Sequence, residues 1–137
     1  MDATNRAAIR EAVRARVVAA LPEAFDATAR ASPVPANKLP AFAIRSERIA
    51  AKTLAMGQPL RRLSDRVTVS WWGEGGDDVN ALAETAAEAI ADAVTAAPED
   101  LGGLALELTP AGVDQALEPG ERRVARADVA FDVDYIG

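Results

Sequence analysis

The chain has no cysteine and no histidine, and it is poor in aromatics, with two Trp, one Tyr and three Phe. Without cysteine there is neither a disulfide framework nor a thiolate metal site. Without histidine the commonest general base and the commonest metal ligand near neutral pH are missing. Both absences lower the expectation of an enzyme sharply. No apolar run approaches the length of a membrane span, and the N-terminal MDATNRAAIREAVRARVVAAL scatters acids and arginines through its only apolar stretch. That is not the continuous apolar region of a signal peptide. The expectation is a soluble protein of a cytoplasm-like compartment, with no membrane partner. A formal charge of −6 argues against a protein that grips phosphate backbones.

What the chain does have is 137 residues, half of them apolar. That is enough for one domain, residues 1–137, built on Val, Ile and Leu with Ala allowing helices to approach closely. Ile9, Val13, Val17 and Leu21 recur every four residues and predict a helix from about Thr4, ended by Pro22. Arg6, Arg10 and Arg14 follow the same spacing, rotated by about one sixth of a turn. They are either a solvated flank or a basic seam that meets an acidic neighbour. ASPVPANKLP predicts a connector, and AFAIRSERIA a short strand. AAKTLAMGQPLRRLSD predicts a loop or hairpin tip around Gly57 and Pro59.

RVTVSWW, from Arg66, alternates as a strand with one buried side. GEGG ends it, and Asp77 or Asp78 caps a following helix whose apolar stripe is Val79, Leu82, Ala86, Ile90, Ala93 and Val94. Glu84, Glu88 and Asp92 lie opposite. LALEL predicts a strand, TPAGVDQALEPGE a connector. The final segment alternates Ala127, Val129, Phe131, Val133 and Tyr135 with Arg126, Asp128, Ala130, Asp132 and Asp134, which predicts a long strand. The expected fold is a two-layer α+β domain, a mostly antiparallel sheet of four strands or slightly more with two helices on one face.

No constellation is specific for catalysis. GEGG lacks the lysine and hydroxyl of a phosphate loop. Glu47 or Asp65 with Asp128 is an imaginable carboxylate pair, but nothing selects it. Alternation sends the side chains of Trp71 and Trp72 to opposite faces. Trp71 then belongs to the core, and Trp72 stands beside an acidic loop as a candidate contact. Glu74 of that loop joins Arg61, Arg62, Arg6, Arg10, Arg14, Glu84 and Glu88 as candidate interface residues, the helix acids meeting the arginine stripe of another copy. Asp128, Asp132 and Asp134 are a candidate acidic face that would keep DNA from adhering.

The order of these parts resembles the tail terminator or tail-completion family of long-tailed phages (minor tail protein U-like), which has relatives in phage-like gene transfer agents. The resemblance is carried by REAVRARVVAAL, LPAFAIRSE, RVTVSWWGEGG, DDVNALAETAAEAIADAV, LALEL and VARADVAFDVDYI. It implies a structural virion protein without catalysis or cofactor, forming a homohexameric ring at the head-proximal end of the tail tube. Such a ring stops tube growth and joins the major tail tube protein to a head–tail connector or stopper, with DNA passing through without specific binding. It also implies assembly in the host cytoplasm, a final place in the virion tail, and contact arms at Ala31–Pro40 and Met56–Leu63. A small ferredoxin-like ligand-binding or regulatory module fits the same element count.

Overall fold

The computed structural model describes residues 2–28, 38–53, 61–98, 100–118 and 123–137. The two expected contact arms, Ala31–Pro40 and Met56–Leu63, fall largely outside them. In chain order the elements are α1 (Asp2–Ala20), β1 (Phe25–Asp26), β2 (Ala41–Thr53), β3 (Arg61–Glu74), α2 (Val79–Val94), β4 (Glu107–Glu118) and β5 (Val124–Ile136). They form one five-stranded sheet in the order β1-β2-β3-β5-β4. Only the two-residue β1 runs parallel to its neighbour; all other pairs are antiparallel. The fold is therefore α+β with two helices, and the sheet is mixed and has five strands.

The alternation in β5 is the template of the core. Ala125, Ala127, Val129, Phe131, Val133 and Tyr135 are buried under the helices, and the residues between them are partly exposed on the opposite, open face. Register carries the pattern into β3, where Val67 lies opposite Phe131, Val69 opposite Val129 and Trp71 opposite Ala127. From β3 it passes to Phe42 and Ile44 of β2. On the helix side Ile9, Val13, Val17 and Leu21 are all buried, as their four-residue spacing requires.

In α2 the apolar stripe is centred differently from the expectation. Ala83 and Ala87 are buried with Val79, Ala86, Ile90 and Val94, while Leu82 is 40% exposed. Small alanines let the helix approach the sheet closely, and Leu82 is turned out beside Gly75.

β1 has no counterpart in the sequence expectation, β2 runs on to Thr53 into the expected loop, and three further boundaries differ from the expectation for a physical reason. The arginine-rich RRLSD is strand, because Arg62 and Ser64 point to the open face while Leu63 and Asp65 point to the helices. LALEL forms no strand before Glu107. TPAGVDQALE, expected as a connector, is most of β4. That strand is an edge, exposed on both faces nearly throughout, so it needs no apolar alternation. Pro110 and the bulge before Gly112 (φ +153°) are tolerated there and would not be in a central strand.

Among the described residues no helix is long and apolar enough to cross a membrane.

Candidate functional site

The two tryptophans separate as alternation demands. Trp71 is 6% exposed in the core. Its ring lies over Gly73, where any Cβ would run into it, so the first glycine after the tryptophans is fixed by Trp71 itself. Trp72 is partly exposed on the open face, directly opposite Arg126 of β5. The Arg126 guanidinium sits 5.4 Å from the Trp72 ring centroid, a cation–π stack.

From there a ladder of polar pairs runs down the open face between β3 and β5. Ser70 donates to Asp128 at 2.5 Å, and Arg126 donates to the same carboxylate at 3.0 Å. Arg66 reaches Asp132 through two nitrogens, at 2.9 and 3.3 Å. Ser64 donates to Asp134 at 2.5 Å, and Arg62 donates to it at 2.8 Å while lying 3.8 Å from Glu107 of β4. For Asp134 burial pushes the pKa up, but the hydrogen bonds from Ser64 and Arg62 outweigh it and the net direction is down.

Asp128, Asp132 and Asp134 thus share one face, as the sequence indicates, yet each has a base beside it. The expected acidic wall is a charge-balanced ladder. Exposed pairs of this kind add little stability each. Directly opposed partners do fix register.

The arginine stripe of α1 also finds its partners inside the chain. Arg6 donates to Asp65 at 2.9 Å, Arg10 to Ser46 at 3.2 Å, and Arg14 to Asp26 at 2.5 Å. The acids it meets within the chain are Asp26 on β1, Asp65 on β3 and Glu11 one turn back on α1, while Glu84 and Glu88 stand exposed on α2. The reason is the rotation of the stripe. A flank one sixth of a turn from the buried one still faces the sheet, so its arginines reach β3, β2 and β1 in turn.

Asp65 is the centre of this region. Its side chain is 2% exposed. It accepts from Arg6, from Arg48 at 2.7 Å and from the Tyr135 hydroxyl at 2.7 Å. Burial works to raise its pKa, but the bonds from Arg6, Tyr135 and Arg48 prevail and hold the carboxyl below its usual range. Burial first, and then the neighbouring carboxylate, push the Tyr135 phenol up. Asp65 lies on the helix side and Asp128 on the open side, so the imagined carboxylate pair is split by the sheet.

Sequence reasoning missed Arg16. It donates to the carbonyls of Val94 at 2.8 Å, Ala96 at 2.7 Å and Pro98 at 2.6 Å, closing the C-terminal end of α2, where carbonyls lack helical partners. The available signal was a lone arginine off the stripe, one turn from a helix end. At the other end of α2, Asp78 occupies the N-cap position but accepts from Gly76 rather than from a helical N–H. Asp77 pairs with Arg123 at 2.7 Å, tying the GEGG loop to the start of β5. Glu74 is exposed at the end of β3, and Arg61 bonds through its backbone to Gly137.

A groove of about 880 Å³ opens between α1, α2 and the ends of β2 and β3, with Leu21, Pro40, Trp71, Leu82 and Ala86 in its lining and Glu23 and Glu74 among its polar residues. Among the described residues no group of three or more acidic side chains is disposed to hold a metal ion. Comparison with known proteins finds no family model and no curated protein that matches the chain.

Proposed function

We propose that the chain is a structural protein of a phage-type tail, a terminator that assembles as a homohexameric ring on the head-proximal end of the tube. The observation that carries this reading is the exposure of β4. Two helices cover β3, β5 and part of β2, whereas of β4 only the start, at Leu108, packs against the core, and Val113 and Leu117 are each more than half exposed. Leu106, just before it, is exposed to the same degree. A strand left bare on both faces beyond its first residues, with no outer neighbour among the described residues, is surface prepared for association.

The order of parts described from the sequence supplies the kind of assembly. The open face of β3 and β5 suits a lumen that DNA traverses, because Arg62, Arg66 and Arg126 are already matched by Asp134, Asp132 and Asp128 and offer phosphates no unbalanced run of bases. Trp72 and the Arg61–Arg62 region are the proposed contacts to the tube or to the next subunit.

The test is a polymerisation assay. Added in small proportion to a growing tail tube protein, the chain should shorten the tubes and leave one end inert to further growth. Tubes of unchanged length would reject the reading.

One observation favours a second reading, a small ligand-binding module. The groove over Trp71 has the size of a small-molecule site and a largely apolar lining. Quenching of tryptophan emission by a small ligand, abolished by Leu82→Arg at the exposed rim of the groove, would support it.

A further inference from the structure

The sheet ends in two edges. Among the described residues no strand lies beyond β4, and β1 covers β2 only at Ala41 and Phe42, with Thr28 Oγ accepting from the Ile44 N–H. From Arg45 to Thr53 the outer side of β2 has no strand partner among the described residues.

The two edges differ in charge. The described side chains of β4 include acids, Glu107 and Asp114, and no base. The free part of β2 carries Arg45 and Lys52 at its two ends. Arg45, Lys52 and Asp114 form no ion pair among the described residues.

The spacing matches as well. Asp114 and Glu107 lie opposite Asp128 and Asp134 of β5, six positions apart, and both face the open side. Arg45 and Lys52 lie opposite Thr68 and Arg62 of β3, also six positions apart and on the open side. Each strand contains one bulge between its two charges, near Ile49 in β2 and before Gly112 in β4. An unbulged strand could not keep two charges seven residues apart on one face.

We propose that β4 of one copy extends the sheet of the next by pairing antiparallel with its β2, Asp114 opposite Arg45 and Glu107 opposite Lys52. Strand directions alternate from β2 to β4, so continuing the sheet requires the antiparallel sense. In this register Glu47 meets Gly112, so no like charges oppose one another. The two bulges come alongside, with Pro110 interrupting the ladder in its middle and a charged pair on either side. Pairing β4 with β4 so that the same two positions align would instead set Asp114 against Glu107, which is destabilising. The contact is heterologous, each copy using one edge to give and the other to receive, and such contacts generate closed rings or open filaments. The pairing itself stands on edge chemistry; its closure into a six-fold ring rests on the function proposed above.

The absence of cysteine makes the test direct. Asp114→Cys and Arg45→Cys are exposed substitutions on opposite edges. Within one chain the sites are separated by three strand spacings, roughly 14 Å, beyond the ~7 Å limit for a disulfide. Under mild copper–phenanthroline oxidation, an equimolar mixture of the two single variants should give a dimer band at least tenfold stronger than either variant alone. The double variant should give a ladder of oligomers. In tube assays Asp114→Arg should lose association, and adding Arg45→Asp in the same chain should restore it.

No cross-link in the mixture, or Asp114→Cys dimerising with itself as well as with Arg45→Cys, would overturn the proposal. Cross-linking without any effect on tubes would leave the contact standing and sink the terminator reading. Tube capping without the cross-link would do the reverse.

Discussion

Asp65→Asn changes one atom and removes the charge at the centre of a buried network, so it isolates what that network contributes. Three donors converge on the carboxylate, from Arg6, Arg48 and Tyr135. Hydrogen bonds to a charged group are worth about 1.5–3 kcal/mol each, which sets an upper limit well above the real loss. The side chains of Arg6 and Arg48 keep 29% and 28% of their exposure and can recover water. An amide oxygen in the Oδ2 position can retain the bonds from Arg6 and Tyr135, but the NH₂ then faces the Arg48 donor. A loss of about 3 kcal/mol is expected, within the range for breaking a buried pair from one side. For a chain of this length that is a fall in Tm of roughly 10 °C.

The pH dependence supplies a second reading from the same variant. The folded Asp65 carboxyl titrates below its usual range. Its contribution is therefore complete above about pH 4, the unfolded value, and is lost as pH falls through the folded pKa. Urea unfolding at pH 7 and at pH 3 should show a wider gap between the two proteins in the first case than in the second. A loss under 1 kcal/mol at pH 7, or a gap that does not narrow in acid, would refute the reasoning.

Gly73→Ala should destabilise by about 1–3 kcal/mol, because its Cβ meets the Trp71 ring; a red shift in tryptophan emission would report the displaced indole. Arg16→Met keeps much of the apolar stem but removes three bonds to carbonyls at the end of α2, and should cost about 1 kcal/mol, with faster amide exchange confined to the last turn of that helix. Phe131→Ala, at a fully buried position, should cost about 3–5 kcal/mol in urea unfolding. Trp72→Ala should leave the midpoint within about 1 kcal/mol, since the ring is partly exposed and held by a single cation–π stack, yet it should weaken tube capping.

The elements easiest to read were those whose two faces differ most. β5 shows strict alternation because one side meets the helices and the other meets solvent, and α1 shows its stripe for the same reason. β4 was illegible because neither of its faces is covered, so nothing in TPAGVDQALE had to alternate; a proline and a glycine then read as a turn. The single-residue bulges before Gly112 and after Arg48 also shift the phase of any period-two pattern. At the candidate site, the opposite facing of Trp71 and Trp72 follows from backbone geometry and was legible. The partners of the arginines were not. Spacing along α1 placed Arg6, Arg10 and Arg14 on one flank, but only the three-dimensional crossing over β2 and β3 determines that Asp65, Ser46 and Asp26 lie beneath it.

The central claim, that this chain caps a tail tube as a ring, is tested most directly by negative-stain imaging of the protein mixed with the tail tube protein from the same genome. The account predicts tubes closed at one end by a six-fold ring that adds no further subunits. Bare tubes beside a monomer that never associates with them would contradict it.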